Sequence, residues 1–174
     1  MKKLAISTVI LLSFFVTGIN VKAQIKIGHI DSQELLAAMP ESDSASKKLQ
    51  RIAKSHELAL EEMQVEFNKK YQELLEYMKD EENASELVQA AKEEDLEALQ
   101  KRILAFQQTA QQDLEQKRME LFQPIQEKAL NAVNEVAEEN GFTYILDSGI
   151  GVIVYSSDDS EDILPLVKKK MGLQ

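Results

Sequence analysis

Residues 84–139 read ASELVQAAKEEDLEALQKRILAFQQTAQQDLEQKRMELFQPIQEKALNAVNEVAEE. Val88, Ala91, Leu96, Leu99, Ile103, Phe106, Ala110, Leu114, Leu121, Ile125, Ala129, Val133 and Val136 recur mostly in steps of three and four. That period belongs to one face of an α-helix. Gly141, just after Asn140, supplies a left-handed stop. Upstream, Leu49, Ile52, His56, Leu60, Met63, Phe67, Tyr71, Leu74 and Met78 set out a second helical face from about Ser44 to Lys79. Asp80 to Ser85 breaks the apolar pattern, and Asn83 with Glu86 has the spacing of a capping box that restarts a helix near residue 84. Helices of about 36 and 55 residues span roughly 55 and 80 Å, more than a chain of this size can wrap into a globule. With only a short break between them, they are predicted to form an antiparallel hairpin projecting from the rest. Steps such as 63, 67, 71 and 106, 110, 114 depart from a strict heptad, so the pair is predicted to supercoil weakly. Glu66/Lys70, Glu97/Lys101 and Asp113/Lys117 stand in the favourable i,i+4 order, worth about 0.2–0.5 kcal/mol each.

Outward from this arm, the two ends of the chain read as one small body. Ile25-Lys26-Ile27-Gly28-His29-Ile30 begins with the alternation of a half-buried strand. Asp31 with Glu34 has the spacing of a capping box for a short helix, Ser32 to Met39, which must end before Pro40. Phe142 to Leu146 and Val152 to Tyr155 are short β runs around Asp147-Ser148-Gly149-Ile150-Gly151, and read as a β-hairpin. Ser157 to Asp162 is predicted to cap a last helix ending at Met171, with Pro165 in its first turns and Lys168, Lys169 and Lys170 near its C-terminus. The organisation is then a discontinuous body, residues 24–46 and 125–174, with the arm, residues 47–124, inserted. Pro124 is placed where the returning helix meets the body. So small a body, with open strand edges, is predicted to be stabilised by self-association.

The N-terminus differs in kind. Met1-Lys2-Lys3 is basic, Leu4 to Val16 is apolar, and Val21-Lys22-Ala23 ends on a small residue. These are the parts of a secretory signal cleaved after Ala23. The chain has 174 residues, no cysteine, and 20 Lys+Arg against 30 Asp+Glu. Absence of cysteine excludes disulfides, Cys-based zinc sites and thiol catalysis. The acidic balance argues against nucleic acid as a partner, and no G-x-x-x-x-G-K-[ST] phosphate cradle is present. Asp158, Asp159, Glu161 and Asp162 lack the spacing and central glycine of a calcium loop and read as helix caps. Glu93-Glu94-Asp95 point in successive directions around a helix and read as a solvated face. His29 and His56 read as structural.

The opening IKIGHIDSQELLAAMP, the long charged hairpin, and the closing YILDSGIGVIVYSSDDSEDI before a lysine-containing helix resemble the Skp (OmpH-like) periplasmic chaperone family from Ile25 to about Met171. The resemblance implies an α+β fold, predominantly α, with a small β-rich trimerisation body and a long antiparallel helical-hairpin arm inserted. It implies a homotrimer whose arms enclose a cavity, and an ATP-independent periplasmic holdase for unfolded outer-membrane β-barrel proteins. No catalytic residue, metal or cofactor is implied. Ile25, Ile27 and Ile30 match the first body strand, and Leu146, Val152, Val154 and Tyr155 match the later trimerising strands. Met63, Phe67, Tyr71, Tyr77, Met78 and Phe106 on the arms are candidates for client binding; Met63, Phe67, Met78 and Phe106 lie on the periodic seam and read first as packing between the two helices, and Tyr77, off that seam, is the most client-facing of them. The alternative reading is a non-enzymatic envelope adaptor that docks one folded partner. This chain departs from basic members of the family: Lys79 to Glu97 holds eight acids and two lysines. An acidic tip argues against attraction to anionic membrane or lipopolysaccharide and favours clients with basic stretches.

Overall fold

The computed structural model describes residues 25–79, 85–157 and 159–173. The signal-like segment, Asn83 and Asp158 lie outside the described residues. Strand β1 (Ile27–Ile30) leads into helix α1 (Ser32–Ala38), then α2 (Pro40–Lys79) and α3 (Glu86–Glu139). Strand β2 (Tyr144–Asp147), the two-residue strand β3 (Glu161–Asp162) and helix α4 (Leu164–Met171) complete the chain.

Local chemistry sets most of these boundaries. Asp31 Oδ1 accepts the Glu34 N–H at 2.8 Å, capping α1 as predicted. The Glu34 carboxylate does not return the bond; it pairs with Lys168 on α4 at 2.7 Å. Helix α1 ends at Ala38 with Met39 extended as its cap, but α2 begins at once on Pro40, four residues before the predicted Ser44. Proline suits a first helical position because its fixed φ is already helical and the N–H it lacks would have no partner there. Glu41 and Asp43 in the same turn face the positive end of the helix dipole. At the tip, α3 starts at Glu86 with Ser85 as its flanking residue, and the Tyr77 hydroxyl accepts the Ser85 N–H at 2.8 Å. At the far end Gly141 adopts φ 69°, and the Phe142 N–H reaches back to the Ala137 carbonyl at 2.9 Å.

Helices α2 and α3 pack antiparallel, and the pairs between them run in order: Glu41 with Lys128, His56 with Asp113 at 2.9 Å, Glu66 with Arg102 at 3.0 Å, Lys70 with Asp95 at 3.5 Å. Only Glu97–Lys101 of the three anticipated intrahelical pairs forms, at 2.6 Å. Glu66, Lys70 and Asp113 turn across the hairpin, and Lys117 pairs with Glu120 at 2.7 Å. A partner on the facing helix lets one side chain fix register as well as neutralise charge. The seam itself is thin. Leu74, Leu96, Leu99, Ile103 and Ala110 are buried, whereas Tyr71, Met78 and Val88, counted on the same face from periodicity, are exposed. Two helices have no third partner to close over large side chains at the flanks.

From Leu121 onward the inward residues of α3 join a different core. Pro124 sits at this handover, where it leaves the Glu120 carbonyl without its usual helical donor. Ile125, Ala129, Ala132 and Val136 pack with Ile30, Leu35, Met39, Ile163, Leu164 and Val167.

The sheet overturns the predicted hairpin. Its order is β2-β1-β3, and both outer strands run parallel to β1. Residues Val152, Val154 and Tyr155 are in no strand, and the second partner of β1 is Glu161–Asp162. Asp147 directs the chain away. Its Oδ1 accepts the Gly149 N–H at 2.9 Å and the Ser32 N–H at 3.2 Å, and its Oδ2 accepts the Ser32 hydroxyl. A side chain at Gly149 would meet Asp31 Oδ1 at 2.5 Å, so a larger residue there would displace the carboxylate that caps α1. The last helix is flanked by Ile163 with no side-chain cap in the usual sense, but Asp162 Oδ1 accepts the Leu164 N–H at 2.9 Å.

Two outcomes are expected. Ile163 is fully enclosed, so Ile163→Ala should lose about 2–4 kcal/mol in urea unfolding at fixed protein concentration. For Asp147, burial raises the carboxyl pKa, but the Ser32 hydroxyl and the Gly149 and Ser32 N–H groups outweigh burial and hold it below the ordinary value of 3.8. A lowered folded pKa contributes stability that is present above 3.8 and is lost as pH falls through the lower folded value. Asp147→Asn should therefore cost about 1 kcal/mol at pH 7, with the gap to the parent closing below about pH 4.

Candidate functional site

The parallel register sets the first candidate surface. Ile27 lies beside Tyr144 and His29 beside Leu146, so these four share one face of the sheet. Gly28 and Ile30 point to the other face, into the body. Gly28 packs so close to Phe142 that a Cβ would meet the ring at 2.8 Å. The outer face carries Ile27, Tyr144 and Leu146, each about half exposed. Beside it lie Ile25, Ile150, Val152, Val154 and Tyr155, with Val154 97% exposed. Parallel strands are normally covered on both faces; here one face is bare and apolar. Of the residues matched to association, Ile30 is the exception, since it is 4% exposed and belongs to the protomer's own core.

The second surface is the arm. Met63, Phe67 and Phe106 are half-buried, and Phe106 meets His56 edge-on with centroids 6.0 Å apart. Tyr77 is also half-buried: its hydroxyl holds the Ser85 N–H, and Lys92 stands 5.6 Å from its ring centroid. Its contacts therefore belong to the turn. Tyr71 and Met78 are exposed, as is Leu75, which sequence periodicity passed over. The four-residue step from Tyr71 to Leu75 is the signal that could have found it.

The body also holds a cavity of about 480 Å³ between α1, α3 and β2. Leu35, Leu36, Ala129, Val133 and Phe142 line it, with Ser32 and Asp147 as polar groups. The Ser32 hydroxyl bonds to Asp147, and neither histidine lines the cavity. Elsewhere Ser160 Oγ stands 3.0 Å from His29 Nδ1, but Asp162 is engaged by the Leu164 N–H and Glu161 by Lys26. Among the described residues no group of three or more His, Asp or Glu converges as a metal site, and no helix is long and apolar enough to cross a membrane.

Residues 26–171 match the model of a family described as outer membrane protein (OmpH-like). No curated protein matches the chain. Among solved structures, a protein from Caulobacter crescentus CB15 described as an OmpH-like outer membrane chaperone superposes with a TM-score of 0.69, covering 86% of this chain and 83% of its own. The two are 12% identical, so what they share is the fold. With its model matched over nearly the whole described length, the chain belongs to the OmpH-like outer membrane protein family.

Proposed function

We propose that this protein is a periplasmic, ATP-independent holdase that assembles as a homotrimer and keeps unfolded outer-membrane β-barrel proteins soluble between its arms. Membership of the OmpH-like family and the description of the Caulobacter neighbour as an outer membrane chaperone support the chaperone role. The observation that carries the assembly is the bare apolar sheet face around Ile27, Tyr144 and Leu146, with Val152, Val154 and Tyr155 beside it. An uncovered parallel sheet on so small a body is satisfied by further copies of itself. Copies joined at the body would surround a shared space with two-helix arms. Many weak apolar contacts in that space would sum to firm yet reversible capture. Binding by exposed apolar surface recognises the unfolded state without reading sequence, and requires no nucleotide.

A urea-denatured outer-membrane β-barrel protein, diluted into purified residues 24–174, should remain clear by turbidity without ATP at about one trimer per client. Light scattering should give a mass of three protomers. Val154→Asp, at a position with almost no contacts in the single chain, should leave the protomer folded, reduce the mass to one protomer and abolish the suppression. A trimer that leaves aggregation unchanged would sink the holdase reading in favour of an adaptor for one folded partner.

A further inference from the structure

The tip half of α2 carries an apolar stripe that belongs to neither the seam nor the turn. Phe67, Tyr71, Leu75 and Met78 follow one another in steps of four, four and three, which places them along one side of the helix. Leu74, the adjacent position, is buried at 6%, whereas Tyr71, Leu75 and Met78 are 45%, 36% and 46% exposed. Phe67 is half-buried and stacks on Tyr71 with ring planes 3° apart. The stripe therefore runs beside the interhelical seam and stays open. Aromatic rings and a thioether suit apolar partners of variable shape.

The charge around the stripe selects among such partners. Four of the lysines toward the tip are already engaged: Lys69 with Glu73 at 3.9 Å, Lys70 with Asp95 at 3.5 Å, Lys101 with Glu97 at 2.6 Å, and Lys92 over the Tyr77 ring. Glu76, Glu86, Glu93 and Glu94 have no cationic partner among the described residues. An open apolar track in an anionic field complements a chain that mixes lysine or arginine with aromatic and aliphatic residues, and repels an acidic one.

We infer that the Phe67–Met78 stripe, with the carboxylates of the tip, is a docking track for cationic amphipathic segments of unfolded clients. This rests on the holdase reading and names the client chemistry it selects. Apolar side chains of the client lie on Tyr71, Leu75 and Met78, and its cations lie in the field of Glu86 and Glu93, seven residues apart and so on one side of α3, or over the Tyr71 ring.

The test uses purified residues 24–174 and three labelled unfolded peptides of equal length and equal aromatic and aliphatic content. One carries lysines, one glutamates and one serines at the remaining positions, and binding is read by fluorescence anisotropy. At low salt the lysine peptide should bind about ten times tighter than the glutamate peptide. At about 0.5 M salt, where the screening length is only a few Å, that preference should vanish. Tyr71→Ser/Met78→Ser should weaken all three peptides. Glu86→Gln/Glu93→Gln should sharply reduce the preference and leave the serine peptide unchanged. Leu58→Ser, an exposed position on another side of α2, should change nothing. Equal binding of lysine and glutamate peptides, or parental binding by the Tyr71/Met78 variant, would overturn the assignment. If the same preparation still suppresses barrel aggregation, only the track falls; if it suppresses none and binds no peptide, the holdase reading falls with it.

Discussion

Strand β1 is the centre of the molecule, and both of its neighbours run parallel to it. Thr143 N–H reaches the Lys26 carbonyl at 2.7 Å, Ser148 N–H the Ile30 carbonyl at 2.9 Å, and Ile163 N–H the His29 carbonyl at 2.9 Å. Parallel strands cannot be joined by a tight turn. The chain leaves the sheet after Ile30 and must re-enter beside Ile27, at the end where β1 began, and the entire arm lies within that crossover. Its two helices return nearly to their starting point, so the arm can extend far without separating the strands that anchor it. Lys26 reinforces the closure from the body side, with its ammonium on Glu161 at 3.0 Å and 3.8 Å from the Phe142 ring centroid.

The same constraint divides the energetics. The body owns a continuous core in which α1, the root of α3 and α4 cover one face of the sheet. The arm has a narrow seam and a ladder of ion pairs that are mostly exposed. Exposed pairs contribute little stability each, but pairs ordered along two antiparallel helices specify register, which a thin apolar seam does weakly. Toward the tip the seam loosens, with Val88 and Met78 both open to solvent. An element with few buried contacts opens at lower cost than the core. That suits an arm proposed to adjust to clients of different size.

Two apolar surfaces remain uncovered, and their chemistry differs. The outer sheet face carries Ile27, Tyr144 and Leu146, and it continues into the segment that carries Val152, Val154 and Tyr155, as expected of a surface that meets a constant partner. The stripe on α2 combines two aromatic rings, a leucine and a thioether on an arm whose tip is acidic, as expected of one that meets variable chains. The family resemblance pointed to association residues at Ile25, Ile27, Leu146, Val152, Val154 and Tyr155, and all of these are exposed in the single chain. Ile30 could not be separated from them in sequence, because an isoleucine in a strand reads alike whether it faces the core or a partner. Tyr77 is a related case: its place off the seam suggested an outward side chain, and in the structure it is half-buried with its hydroxyl accepting the Ser85 N–H at the turn.

The sequence alone determined the two long helices, the stop before Pro40, the Asp31 cap and the Gly141 terminus. A helix is held by bonds between residues four apart, so its period and its ends are written locally. Length then forced the hairpin, because helices so long have nowhere to fold except against each other. What only the tertiary structure decided was non-local. The apolar runs around Gly149 and Gly151 suit a hairpin as well as they suit a strand and a free segment. The choice fell to β1, which pairs with β2 on one side and, on the other, with Glu161–Asp162, which by sequence read as helix caps. Likewise Glu66, Lys70 and Asp113 had acceptable partners on their own helices, and the packing of α2 against α3 offered them others. Strand partners and cross-helix charges depend on distances between segments remote in sequence, which no local pattern records.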